Sequence, residues 1–253
     1  MEWSDGMKSR YWIFLRGLTR GNIHWGQLPE LINQKFPEVQ MEFLEIPGNG
    51  LLSNETSLTS PLEVVNYLRN KSQFIKLGLP VQLCGISLGG MVALKWAELY
   101  PENLKSVFAI NTSLSQFSPF YDRLKPNNYF SLIQALIQSN KYKQEEAILR
   151  MTSNFYDQNK NYIKVFGDFA KNHQTTKANF IRQLRLATNI KIEKEIIVPV
   201  HILISTNDRL VNANCSSKIA LNLNAKTCEH PTAGHDLPLD DPKWLIETLF
   251  LNS

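Results

Sequence analysis

Short runs of β-branched and aromatic residues recur along the chain, at 11–15, 40–46, 81–86, 107–110, 198–204 and 225–229. Between most of them the apolar positions change to helical spacing. This alternation predicts an α/β fold, a mostly parallel sheet of about six strands flanked by helices. Two helix starts are marked by local chemistry. Ser60-Pro61-Leu62-Glu63 offers a capping serine, proline at the first helical position and a glutamate three residues after the cap. Leu62, Val65 and Leu68 are the expected buried face of that helix. Asp241-Pro242 opens the last helix in the same way, with Trp244, Leu245, Leu249 and Phe250 as its expected inner side.

Between residues 118 and 190 the strand signals stop. Phe130, Ile133 and Leu136, then Ile163, Phe166 and Phe169, fall at helical spacing, which predicts an inserted helical lid over 118–190. Residues 1–117 and 191–253 are then the core. Repeats, low-complexity tracts and Gly/Ser linkers are absent from the sequence.

Composition narrows the classes. A chain of 253 residues with 43% hydrophobic and 20% charged residues suits one α/β domain, and a net charge of +4 implies no nucleic-acid partner. The lid segment carries 11 Lys+Arg against 5 Asp+Glu, a net of +6 that leaves −2 elsewhere. Those charges are scattered rather than clustered, which reads first as a solvated face and second as an attractant for anionic substrates or a membrane surface. Apolar stretches fall well short of the roughly 20 residues a membrane span needs. Met1-Glu2-Trp3-Ser4-Asp5 is acidic and the run 11–15 is too short for a secretory segment, so a cytoplasmic location is expected. The three cysteines, Cys84, Cys215 and Cys228, lack metal-ligand spacing and are expected as reduced packing residues. Metal and cofactor are not expected. Oligomeric state leaves no signal.

The candidate chemistry lies at strand ends. Gly85-Ile86-Ser87-Leu88-Gly89 follows the apolar run 81–86 and opens a helical run, the setting of a nucleophile elbow. A serine hydroxyl needs a base, and that base an orienting carboxylate. Asp208 follows the run 198–204, where open α/β sheets bind ligands. His235 sits in Thr232-Ala233-Gly234-His235-Asp236 after the last strand, in a loop that can bring an imidazole over the sheet. Asp236, Asp240 and Asp241 read as helix capping before Pro242. The backbone N–H groups of Leu88 and, in Leu15-Arg16-Gly17-Leu18, of Leu18 are the expected oxyanion donors. Arg16, Phe117 and Phe120 are candidate substrate contacts.

These residues together resemble the α/β-hydrolase superfamily, in particular the small serine carboxylesterases related to the pimeloyl-ester carboxylesterase of biotin synthesis. Gly85 to Gly89 is similar to its elbow, Asn207-Asp208-Arg209-Leu210-Val211 to its acid loop, and Gly234-His235 with Asp241-Pro242 to its base loop and final helix. Pro47-Gly48-Asn49-Gly50 resembles its Pro-Gly-x-Gly turn. The chain departs from the pattern in carrying Arg16-Gly17 for the usual His-Gly, which suggests either altered support behind the oxyanion loop or recruitment of an anionic group, and Glu45-Ile46 before Pro-Gly in place of the usual aspartate. It also has little room before the first strand for the antiparallel hairpin of larger members. The resemblance implies hydrolysis of a carboxylic ester through an acyl-enzyme on Ser87, with a small ester or thioester as partner. Thioesterase, lipase or acyl-transfer chemistry on the same triad, and a non-catalytic binder on the same fold, are the alternatives.

Overall fold

Among residues 10–251, which the computed structural model describes, six strands form one parallel sheet. They are β1 (Tyr11–Leu15), β2 (Gln40–Leu44), β3 (Val81–Ile86), β4 (Leu104–Ile110), β5 (Val200–Ser205) and β6 (Lys226–His230), in the spatial order β2-β1-β3-β4-β5-β6. The acidic N-terminal run from Met1 to Asp5 lies outside the described residues. From β1 the chain steps outward to β2, then returns to β3 on the other side of β1 and continues away from it. This places a topological switch point between the carboxyl ends of β1 and β3, where open sheets leave a crevice.

The helices follow in chain order: α1 (Leu28–Lys35), α2 (Pro61–Lys71), α3 (Gln73–Lys76) and α4 (Leu88–Leu99) before β4. Between β4 and β5 come α5 (Phe120–Arg123), α6 (Tyr129–Ile137), α7 (Lys141–Thr152), α8 (Tyr156–Asn159), α9 (Tyr162–Ala170) and α10 (Lys177–Asn189). The chain ends with α11 (Asn214–Asn222), α12 (Leu237–Asp240) and α13 (Pro242–Phe250).

Side chains alternate across a strand, so β1 feeds two cores. Trp12 and Phe14 join the layer of Leu28 and Ile32 from α1 and Leu245 and Leu249 from α13. Ile13 and Leu15 join Val65 and Leu68 from α2, Val92 and Trp96 from α4 and Ile219 from α11. Burial on both faces is what a parallel sheet requires.

The strand ends differ from the sequence reading for local reasons. β2 stops at Leu44 because the Glu45 carboxylate takes the amides of Asn22 and Leu51, each at 2.7 Å, and turns the chain. β5 starts at Val200, after Pro199, whose nitrogen has no proton to give a ladder. In α2 the Ser60 hydroxyl accepts from Glu63 N as expected, but Leu62 is 48% exposed and Val64 is buried in its place. Steps of three residues drift about 60° each around a helix, which carries Leu62 off the face shared by Val65 and Leu68. Helix α6 is apolar except at Ser131 and Gln134, and Phe130 and Ile133, expected inside, face outward while Leu132, Ala135 and Leu136 face a cavity. Phe166 is buried, against Tyr162 and His24. Among the described residues no helix is long and apolar enough to cross a membrane, and the three cysteines are unpaired.

Candidate active site

β3 ends at Ile86, and Ser87 turns the chain into α4 with φ 56° and ψ −119°. A non-glycine residue pays about 1–3 kcal/mol for such a conformation, so the surroundings must enforce it. Ser87 N donates to Ile110 O at 2.9 Å, and the Ser87 carbonyl accepts from Met91 N at 3.1 Å and Thr112 Oγ1 at 2.8 Å. Strand and helix meet closely enough that a Cβ on Gly85 would collide with the Gly89 carbonyl, and one on Gly89 with the Leu15 carbonyl.

The loop after β5 carries Asp208. Its Oδ1 accepts from the amides of Leu210 and Val211 at 2.8 and 3.0 Å, and its Oδ2 lies 2.7 Å from His235 Nδ1. Both side chains are buried. An ionised carboxylate only accepts, so the proton sits on Nδ1 and leaves Nε2 free to take another. Burial, the largest influence on His235, disfavours its charged form. The charge and hydrogen bond of Asp208, with Asp236 adding to them and Arg16 opposing, outweigh it and hold the pKa above the ordinary imidazole value of 6.5.

Asn111, which the sequence did not single out, ties these loops together. At the end of β4, with φ 46°, its Oδ1 accepts from Ser205 N at 2.7 Å. Its Nδ2 donates to Ser205 Oγ and to His235 O, both at 2.9 Å. One side chain thereby braces the end of β5 and the backbone of the imidazole loop. A polar residue directly after an apolar strand run is its sequence signal.

The loop after β1 approaches from the other side of the switch point. A Cβ on Gly17 would stand 3.1 Å from Ser87 Cβ. The Leu18 and Leu88 amides find no acceptor among the described residues, and both residues line the cavity beside Ser87. This loop is held by two further residues that sequence patterning missed. Asn49 Nδ2 donates to Gly17 O at 3.3 Å, Gln183 Oε1 accepts from Thr19 N at 2.9 Å, and Gln183 Nε2 donates to Asn49 Oδ1 at 2.7 Å. Gln183 sits on α10, so the helices between β4 and β5 reach the loop directly.

Arg16 lines the same cavity and is engaged within the fold. It is buried, lies 5.0 Å from the Trp25 ring centroid, and gives a two-pronged hydrogen bond to Asp236 at 3.0 and 2.8 Å. Its charge is matched by that carboxylate. Asp236 therefore pairs with Arg16 rather than capping a helix. Asp240 instead accepts from the amides of Gly234 and Asn154, and Asp241 alone of the three caps α13, through Trp244 N at 3.0 Å. Phe117 packs on the sheet core and lines a separate cleft with Ile192 and Val198, because its turn folds back onto Leu114 O. Phe120 lies on the cavity, 61% exposed. His201 stacks on Phe108, and burial lowers its pKa.

Ser87 and His235 line one cavity of about 510 Å³, roofed by residues of α6, α7, α9 and α10. Met91, Leu124, Leu136, Ile148, Met151 and Leu210 give it an apolar wall. Among the described residues no cluster of three or more His, Cys, Asp or Glu could hold a metal ion.

A family-level sequence profile for the alpha/beta hydrolase fold matches residues 63–242. A stretch of 36 residues, 14% of this chain, is 64% identical to homoserine O-acetyltransferase of Carboxydothermus hydrogenoformans but spans 9% of that protein. The fold is similar to a lipase-esterase related protein from Clostridium acetobutylicum, with TM-score 0.72 and 16% identity over 96% of this chain and 95% of that one. It is similar to the enol-lactonase from Burkholderia xenovorans, with TM-score 0.72 and 14% identity over 97% and 92%. A thermophilic esterase from Thermogutta terrifontis gives TM-score 0.68 and 15% identity over 96% and 89%. At these identities the likeness is one of fold.

Proposed function

The chain belongs to the α/β hydrolase family, and from that premise we propose a serine hydrolase that cleaves a carboxylic ester through an acyl-enzyme on Ser87. The observation that carries the reading is the buried 2.7 Å contact of His235 Nδ1 with Asp208 Oδ2, beside a cavity that Ser87 and His235 share. In this reading His235 Nε2 takes the Ser87 proton as Oγ attacks the ester carbonyl. The amides of Leu18 and Leu88 receive the developing oxyanion, and His235 returns the proton to the departing alcohol. Water activated by the same imidazole then releases the acid. Asp208 holds the ring in the productive tautomer and stabilises the imidazolium. The lipase, esterase and lactonase activities named for proteins of similar fold support an acyl substrate. The apolar wall supports a hydrocarbon portion in it.

Intact-mass analysis after exposure to a small fluorophosphonate tests whether the serine is armed. One adduct per chain, located on Ser87, is expected. Unlabelled, well-folded protein that also turns over no ester counts against the reading.

The base must be neutral to accept a proton, and its pKa is held above 6.5. kcat/KM is therefore expected to fall as pH drops through that raised value, with the acid limb centred above 6.5. In Asp208→Asn the limb moves to lower pH, because burial and Arg16 then act with less opposition. A wild-type limb below 6.5 contradicts the assignment of His235 as the base.

The short stretch shared with homoserine O-acetyltransferase supports acyl transfer as a second reading. It predicts that an added alcohol acceptor diverts product from free acid to new ester, which product analysis reads directly.

A further inference from the structure

Two of the three arginines on the cavity are neutralised within the fold. Arg16 faces Asp236, and Arg20 Nη1 meets Glu145 Oε2 at 2.6 Å. Of the cavity's lysines, Lys141 donates to Gln174 Oε1 and Lys177 is exposed. Arg123, at the end of α5, is different. Its partners are neutral: Nη2 donates to Ala187 O at 2.8 Å and lies 3.9 Å from Met91 Sδ, and Nε donates to Ser113 Oγ at 3.3 Å. Among the described residues no carboxylate pairs with it, and no partner is found for Nη1. The neighbouring Asp122 is engaged with Asn212, 3.2 Å from its Nδ2.

A guanidinium drawn partly out of water without a counter-charge is costly, and neutral acceptors offset only part of that cost. Arg123 nevertheless lines the cavity that holds Ser87, with Met91, one turn beyond Ser87 on α4, and Ser113 beside it. Because Ser113 Oγ accepts from Nε, its own proton remains available to an acceptor. Two Nη1 protons and one hydroxyl proton make a small donor set. They suit a singly charged, planar anion. A dianion would need further cations.

We infer that the ester cleaved at Ser87 bears a free carboxylate, bound by Arg123 Nη1 and Ser113 Oγ while the apolar wall takes the hydrocarbon between. This rests on the hydrolase reading of Ser87 for the reaction, though not for the anion site itself.

The test pairs p-nitrophenyl esters of increasing chain length, each ending in either a carboxylate or a carboxamide, on wild type, Arg123→Gln and Arg123→Lys. Calorimetric titration with the free acids and with matched alkyl phosphates runs alongside. At the best length, wild type is expected to prefer the carboxylate about ten- to hundredfold in kcat/KM, mainly through KM, the range spanned by a charge-assisted hydrogen bond. That preference falls towards unity in Arg123→Gln and recovers in part in Arg123→Lys. Absence of a carboxylate preference in wild type at every length overturns the inference, even if Arg123→Gln does not fold. Tighter binding of phosphates than of carboxylates overturns the carboxylate assignment. If esters are not turned over and Ser87 takes no fluorophosphonate, the hydrolase reading fails by itself. The titration then decides the anion site: weaker binding of the free acids to Arg123→Gln supports it, and equal binding overturns it.

Discussion

Replacing Ser87 with alanine lowers kcat on an activated ester by about a millionfold, the loss seen when a triad nucleophile is removed, while KM changes little. Alanine keeps the Cβ and hence the steric demands of the elbow, so the turn at φ 56° and the packing of Gly85 against Gly89 are retained. Only Oγ is lost. The cavity, the Leu18 and Leu88 amides and the apolar wall remain, which is why ground-state binding survives. Asp208→Asn costs less, about ten-thousandfold, because the nucleophile stays while its base loses the carboxylate that fixes the tautomer. Oδ1 is committed to two backbone amides, so the variant asparagine keeps its oxygen there and turns its NH₂ to His235 Nδ1, which must then accept, and the ring proton moves to Nε2, the atom that has to take the Ser87 proton. Steady-state kinetics of both variants, with active-site titration of wild type and Asp208→Asn, checks both values. A Ser87→Ala rate within tenfold of wild type removes the acyl-enzyme from consideration.

The sheet was legible because its inner strands are short, mostly continuous apolar runs, which a parallel sheet buries on both faces. Strand ends slipped where one side chain, Glu45, or one missing proton, at Pro199, overrode the pattern. Ser87, Asp208 and His235 stood out as candidates because each follows a strand and carries a residue type that chemistry needs there. Asn111, Asn49 and Gln183 did not, since their work is long-range: Gln183 and Asn49 lie 134 positions apart and meet only through amide hydrogen bonds. Periodicity reports how a segment is buried, not which distant polar group it meets. Arg16 shows the same limit. Alone in the sequence it is a free cation beside the oxyanion loop; 220 positions later Asp236 cancels it. Helix α6 shows a second limit, for apolar residues covering more than half of its circumference leave the choice of inner face to tertiary packing.

Asp236→Ala is expected to carry the largest loss of stability, about 3–5 kcal/mol, because it leaves a buried guanidinium without its counter-charge. The side chains of the pair are 4% and 7% exposed, so water cannot replace the carboxylate. Arg16 Nε already lacks a partner, which leaves the Trp25 face as the main compensation. Against a typical domain stability of about 5–15 kcal/mol, such a loss moves the urea midpoint far while leaving the slope unchanged. Arg16→Met combined with Asp236→Ala is expected to recover most of it, since removing both charges removes the burial cost along with the attraction. A single-variant loss below about 1 kcal/mol identifies instead a pair of the weak, solvent-screened kind. The same variant reports on the base. Asp236 helps to raise the His235 pKa and Arg16 lowers it, so Asp236→Ala shifts the acid limb of kcat/KM to lower pH, and the double variant, which removes both influences, reverses part of that shift. This chain has placed a charge on the loop after β1 and a matching one directly after His235. Stability and the pH profile are thereby coupled through a single ion pair.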